Sequence, residues 1–300
     1  MELSDTARHW LAAATRTAAG ELVARRLVGS TSSSIVLIEI PGMPASRSVL
    51  RVLDNAAWLA REPDLAEHEA GALIELRRAG LAGPELVALG GVEAGFGAPV
   101  VLMSFVEGQV ELAPADFDTW LAELATHLVH IHAHPARDFA WQHRTWLDRG
   151  GLAPPAWARD PEPWRRAIER VREPAPATTP VFLHRDYHPT NVLWQGARVT
   201  GVVDWVNACR GPAGVDVAHC RTNLCLMHGP DAAERFLQAY RSHGGGEHDA
   251  YWDIESVLEM SLPAPRFYRP WAEFGLTTID AASLQRRADA HLERVLRRAL

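Results

Sequence analysis

The chain of 300 residues contains no lysine, so all 30 of its basic side chains are arginine. A phosphate loop of the Gly-x-x-x-x-Gly-Lys-Ser/Thr type is therefore excluded, because its lysine is the group that reaches the nucleotide phosphates. Cysteine is also scarce. Cys209, Cys220 and Cys225 are odd in number and lack a close Cys-x-x-Cys pairing, which argues against a zinc or dithiol site and for buried, reduced thiols. No apolar run approaches the ~20 residues of a membrane span. No basic block offsets the net charge of −7, so neither nucleic acid nor an anionic membrane surface is an expected partner. The start of the chain carries Glu2, Asp5 and Arg8 ahead of an alanine-rich stretch. That lacks the basic region and compact apolar core of a secretory leader, and a cytoplasmic location is expected. Internal repeats and long linkers are absent. What remains is a chain with an apolar fraction of 47%, enough for a sizeable core in one two-lobed domain or two small ones.

The densest chemistry lies in His184-Arg185-Asp186-Tyr187-His188-Pro189-Thr190-Asn191 and, shortly after, Val202-Val203-Asp204-Trp205. Apolar Val181-Phe182-Leu183 precedes the first motif and Val192-Leu193-Trp194 follows it. The pattern predicts a strand, a polar loop and a short hairpin running into a carboxylate. Phosphoryl transfer needs these parts: a carboxylate to orient and deprotonate the attacking hydroxyl, and oxygen ligands for Mg²⁺ on the nucleotide phosphates. Asp186 is the candidate base, and Asn191 and Asp204 are the candidate Mg²⁺ ligands. His184 is expected to brace the loop, and His188 to approach the γ-phosphate or the acceptor. Arg185 is unassigned. The plain alternative is that Asp186 and Asn191 only shape a turn.

On these residues the chain resembles the aminoglycoside phosphotransferase and choline-kinase-like family, small-molecule kinases that share the protein-kinase fold. His188, two residues after the Asp, resembles the small-molecule branch, and Gly211-Pro212-Ala213-Gly214-Val215-Asp216 resembles the segment whose Asp buttresses the catalytic loop. The resemblance implies an α+β, two-lobed fold, with a small β-rich N-terminal lobe over 1–105 that binds nucleotide. A larger, mainly helical lobe over 106–300 would carry catalysis and the acceptor. It implies ATP or GTP as donor and a small-molecule hydroxyl as acceptor, an aminoglycoside or another antibiotic. Alternatives are a metabolic kinase of the choline, homoserine or sugar type, or a catalytically silent nucleotide binder. A monomer or weak homodimer is expected.

Along the chain, a first helix precedes strands expected at 22–28, 35–40 and 48–53. Gly29, Ser30, Thr31, Ser32 and Ser33 form a loop of small residues that could approach phosphates, or an ordinary polar hairpin. Arg51 occupies the place that the resemblance gives to a phosphate-pairing lysine, with a solvated strand residue as the alternative. A helix over 64–79 carries Glu69 inside its apolar stripe, where an unpaired carboxylate is costly, and Arg51 is the natural partner. After strands at 85–89 and 99–105, Ser104 and Val106 fall in the segment that resembles an adenine-binding hinge, to which they would contribute main-chain groups.

Helices are expected at 116–134, 161–172, 215–227, 231–241, 249–259 and 281–300. His127, His130 and His134 share a face of the first of these, but no Cys or acidic triad joins them. They are read as favourable charges at a helix end rather than a zinc site. The Trp-rich stretch 140–180 is read equally as an insertion near the acceptor site or as irregular surface. Asp231, Glu234, Asp249, Asp253, Glu255 and Glu259 could meet a cationic acceptor, although solvated helix faces are the expectation for most of them.

Overall fold

A computed structural model describes residues 2–18, 22–27, 32–42, 46–277 and 279–298. The chain divides into two compact units, Met1–Gly108 with Thr200–Asn207, and Gln109–Val199 with Ala208–Leu300. Gly29, Ser30 and Thr31 lie outside the described residues.

The first unit is built on an antiparallel sheet of β1 (Val23–Arg26), β2 (Ser34–Glu39), β3 (Ser48–Val52), β4 (Leu86–Gly90) and β5 (Val100–Ser104), in the order β1-β2-β3-β5-β4. Alternation sorts its faces. Val36, Ile38, Leu50, Val52, Val100 and Leu102 pack in one cluster with Leu3, Ala7 and Leu11, so α1 (Asp5–Thr15) covers that side. Ser4 starts α1 by accepting the Ala7 N–H at 3.1 Å, the usual service of an N-cap serine. Arg51, between Leu50 and Val52, points to the opposite side, and α3 (Leu65–Arg78) packs along β4 and β5. Its buried Leu65, Glu69, Leu73 and Leu76 follow helical spacing. Gly80, at φ +66°, ends it, with Leu81 N–H returning to Leu76 O at 3.1 Å, a Schellman closure that needs a left-handed residue. The pattern did not anticipate α2 (Ala56–Arg61), one short helix capped by Asn55. Residues 200–207 join this unit through Val202 N–H, which donates to Ala82 O at 3.0 Å.

The second unit is mainly helical. It contains β6 (Gln109–Val110), α4 (Phe117–His132), α5 (Pro161–Arg172), β7 (Val181–Leu183), β8 (Val192–Gln195), the start of β9 (Arg198–Val202), β10 (Cys209–Gly211), α6 (Gly214–His228), α7 (Pro230–Ser242), α8 (Ala250–Ser261), α9 (Pro270–Glu273) and α10 (Ala281–Arg298). Strand β7 pairs antiparallel with β10, and β6 with β8. Helix α6 is buried from Gly214 to Met227 and packs against α7, α8 and α10. A helix buried all round has no polar face to spare, so each polar side chain on α6 must be met inside the protein. Thr222 meets Ser256 at 2.9 Å, and Asn223 donates to the His219 carbonyl at 3.0 Å. Cys209, Cys220 and Cys225 are buried free thiols, as expected. Among the described residues, no helix is long and apolar enough to cross a membrane.

The acidic residues of the last helices require a correction. Asp253 is fully buried, bonded to Arg221 at 2.8 Å and facing His248 at 3.0 Å. Glu255 is buried and takes a bond from Arg149 at 2.9 Å. Glu234 pairs with Arg221 at 3.0 Å, and Asp249 caps α8. Asp253, Glu255 and Glu234 neutralise arginines that a lysine-free chain folds inside its helical unit, whereas Asp249 and Asp231 are exposed, as expected of solvated helix faces.

Candidate active site

In the first unit, Arg51 is 4% exposed. Its Nε lies 2.9 Å from Glu69 Oε2, Nη1 donates to Ser33 Oγ at 2.9 Å, and Nη2 donates to Asp204 Oδ1 at 2.8 Å. The planar guanidinium meets the three partners from three separate nitrogens, a wider fork than the one nitrogen of an ammonium presents. Burial pushes the Glu69 carboxyl up to about 7 even though Arg51 pulls it down, and Asp204 adds to the rise. Arg51 itself is raised: burial disfavours its charge, but Asp204 and Glu69 outweigh that cost. Arg51 is therefore a buried member of a charge cluster and not a solvated strand residue. Ser32 is half-buried beside Ser33.

Asp204 does not close a strand. Strand β9 stops at Val202, and Asp204 sits two residues later at φ +68°, a left-handed conformation that is uncommon away from glycine. Trp205 Nε1 holds the bend by donating to Val202 O at 2.7 Å. The Asp204 side chain stays one-third exposed, 33%. Ser104 N–H donates to Glu85 O at 2.8 Å, and its hydroxyl accepts from Glu85 N–H at 2.8 Å. That amide is not open to a nucleotide base. Val106 is half-buried, with Cγ1 against Gly201.

In the second unit, the loop after β7 is held from beneath by Asp216. This fully buried carboxylate accepts the N–H of His184 at 2.8 Å and of Arg185 at 2.7 Å, and faces His132 Nε2 at 3.3 Å. Burial would raise its carboxyl, but His132 and the His184 contacts prevail and it lies below its usual range. Arg185 takes φ +70°, and two bonds from one carboxylate hold a turn that costs about 1–3 kcal/mol to adopt.

Asp186 projects from this turn. His184 Nδ1 accepts its N–H at 3.2 Å, His219 Nε2 lies 3.0 Å from its Oδ1, and His188 Nε2 lies 3.6 Å from the same oxygen. Burial alone would raise the Asp186 carboxyl. His188, His219 and His184 outweigh it and hold the group well below the usual carboxylate range, so it stays ionised and can accept a hydrogen bond from a hydroxyl. Thr190 Oγ1 meets His188 Nδ1 at 2.7 Å. Asn191 Nδ2 donates to Asp186 O at 2.9 Å, which leaves the amide oxygen outside that bond.

Two residues of this cluster escaped the sequence reading. His219 lies on α6, 33 positions beyond Asp186, and only burial of that helix brings it back. His132, at the end of α4, is buried and meets Tyr240 Oη at 2.8 Å besides Asp216. The α4 histidines form no metal cluster among the described residues. Among the described residues, the group of three that could converge on an ion is Asp186, His188 and His219.

The family model described as "Phosphotransferase enzyme family" matches residues 16–252. The chain belongs to the phosphotransferase enzyme family. As a member it is a phosphotransferase, with the α+β, protein-kinase-like fold of its solved neighbours. One neighbour, from Ralstonia eutropha JMP134 and assigned as a candidate aminoglycoside phosphotransferase, is 16% identical, covers 98% of each chain and superposes with a TM-score of 0.64. An amicoumacin kinase in complex with AMP-PNP and Ca²⁺ is 11% identical, covering 92% of this chain and 89% of the other, with a TM-score of 0.59. Homoserine kinase of Gluconobacter oxydans is 31% identical over 85 residues, 26% of this chain and 27% of that protein. The match thus spans about a quarter of this curated relative.

Proposed function

We propose that the protein transfers the γ-phosphate of ATP, or GTP, to a hydroxyl of a small molecule by direct in-line displacement. The observation that carries this reading is the Asp186 carboxylate, set among His184, His188 and His219 on a loop whose turn is clamped by Asp216. Asp186 orients the acceptor hydroxyl and takes its proton as transfer completes. His184 and Asp216 act through the loop, and His188 faces the transferred group or the acceptor. The first unit binds the nucleotide, with Arg51, positioned by Glu69, and Ser32 and Ser33 toward the phosphates. Gly29, Ser30 and Thr31 belong to the same proposed loop. The base would meet the main chain of Val106 and, from Ser104, the carbonyl and not the committed amide.

The donor chemistry fits a divalent cation. Asp204 has one carboxylate oxygen beyond its Arg51 bond, and Asn191 is turned so that its amide oxygen stands clear. Both are the oxygen ligands that Mg²⁺ prefers. When bound, Mg²⁺ supplies charge neutralisation on the phosphates.

The resemblance to antibiotic kinases supports an aminoglycoside or other antibiotic as acceptor. The short alignment with homoserine kinase supports a second reading, a metabolic kinase. The enzyme is proposed to work in the cytoplasm. The deciding experiment measures Mg²⁺-dependent release of ADP or GDP against aminoglycosides, macrolides, choline and homoserine. Acceptor-dependent turnover is expected, with kcat lowered about 10³-fold in Asp186→Asn and nucleotide affinity nearly unchanged. Nucleotide binding without any acceptor-dependent product would mark a silent binder, and absence of Mg²⁺–nucleotide binding would refute the assignment.

A further inference from the structure

Three metal-ligating side chains converge at the proposed base. Asp186 Oδ1 stands 3.0 Å from His219 Nε2 and 3.6 Å from His188 Nε2, and the ligand atoms of the three lie within 4.8 Å of one another. Around a tetrahedral ion with bonds of about 2.0–2.1 Å, neighbouring ligands stand about 3.3 Å apart. The two edges that meet at Asp186 bracket that separation, so an ion would fit with small side-chain shifts.

The surroundings hold the rings in the form that ligation needs. Thr190 Oγ1 meets His188 Nδ1 at 2.7 Å. Asn191 Nδ2, identified as the donor end by its 2.9 Å bond to the Asp186 carbonyl, approaches His188 Nε2 at 3.3 Å. When His188 is neutral, these two contacts put its proton on Nδ1 and its lone pair on Nε2. A metal-binding histidine is commonly fixed in this way, by a hydrogen bond from its other ring nitrogen. The Nε2 lone pair then faces an anionic oxygen at 3.6 Å, beyond hydrogen-bond length, and a cation between the two is their complement. Both rings are buried and tilted by 60°, with centroids 5.8 Å apart. The Asp186 side chain is 27% exposed, which gives an ion from solvent a way in.

We propose that Asp186, His188 and His219 form a binding site for a divalent transition-metal ion, Zn²⁺ being the expected occupant, and that its occupation blocks phosphoryl transfer. Two imidazoles and a carboxylate suit such an ion, whereas Mg²⁺ takes oxygen ligands in an octahedron. The donor set thus differs from the two oxygens offered by Asn191 and Asp204. Three protein ligands leave the fourth position to water. On binding, the proton that neutral His219 directs at Asp186 from Nε2 passes to Nδ1, the ring stays neutral, and Asp186 Oδ1 becomes a ligand. That oxygen can then no longer receive the acceptor hydroxyl. The blocking effect rests on the kinase reading above; the binding itself does not.

The test titrates Zn²⁺ into the full, tag-free chain by calorimetry with Mg²⁺ in excess, and reads Co²⁺ in its place by the visible absorption of a four-coordinate site. A single equivalent is expected to bind. His219→Gln should weaken binding at least about 100-fold, and Thr190→Val, which removes the partner of His188 Nδ1, about tenfold. His127 lies beside Glu123 and His130 on α4, and His127→Ala should change nothing. Circular dichroism of each variant separates misfolding from loss of a ligand. In acceptor-dependent assays Zn²⁺ should inhibit in competition with the acceptor. Absence of binding, binding that survives His219→Gln, or binding lost in His127→Ala overturns the site and leaves the kinase reading standing. Undiminished turnover at saturating Zn²⁺ overturns the block. If the metal-free enzyme phosphorylates no acceptor, the kinase reading fails, and the titrations still decide the site.

Discussion

Three partners meet one guanidinium at Arg51, and that count explains why an arginine works where the sequence supplies no lysine. Ser33, Glu69 and Asp204 lie in different directions around it, each within 2.9 Å. A lysine would keep the charge but have to reach all three groups from one nitrogen. Arg51→Lys is therefore expected to fold, to leave the acceptor KM unchanged and to raise the nucleotide KM about tenfold, the effect of losing one charge-assisted bond. Steady-state titration of each substrate separates the two constants. The Arg51–Glu69 pairing was legible beforehand, because a carboxylate inside an apolar helical stripe demands a nearby cation. The third partner was not, since Asp204 lies 153 residues from Arg51 and reaches it by a left-handed turn that no spacing rule encodes.

At the scale of elements, short segments are positioned by close backbone approach. Residues 200–207 lie along the stretch after α3, where a Cβ on Gly83 would come to 2.6 Å from Leu76 Cδ2 and 2.7 Å from Val202 O. A backbone oxygen cannot yield as a side-chain tip can. Gly83→Ala should cost about 1–3 kcal/mol of stability, as overpacking does, and shift Asp204 through Val202. The checks are urea unfolding and a nucleotide titration, in which binding weakens by more than the acceptor KM changes. Long helices were legible from their periodicity; α5 follows its expected 161–172 span. Helix α2 and strand β10 were not, because six and three residues carry too little pattern to separate from loop.

For the whole molecule, a lysine-free chain that buries its arginines also buries histidines beside them. His291 on α10 is 1% exposed, and neither ring nitrogen has a hydrogen-bond partner among the described residues. Burial, reinforced by Arg221 and Arg298 and opposed by Asp253 and Glu234, pushes it down to about 4 from its ordinary 6.5. The folded state then binds its proton more weakly than the unfolded state, so the stability it contributes is full above about pH 6.5 and is lost as pH falls toward 4. For this group the loss amounts to roughly 3 kcal/mol. His228, held down to about 4 by burial and by Arg287, acts in the same window. Urea midpoints at pH 7 and pH 5 should differ markedly in the parent protein and less in His291→Leu; an unchanged difference would remove His291 from the account.

The sequence by itself determined the class of chemistry and the order of the longer elements. Asp186, Asn191 and Asp204 are polar groups placed at the ends of apolar runs, and local spacing is enough to read such a pattern. Tertiary structure alone decided how the carboxylates are tuned and what they face. His219 and Asp216 reach the Asp186 loop from a helix buried on every side, Ser104 spends its amide on Glu85, and Arg185 turns into a cavity beside Glu255 and Glu259. Each of these depends on packing between residues distant in the chain, where burial sets the cost of an unmet polar group and so selects the partner that meets it.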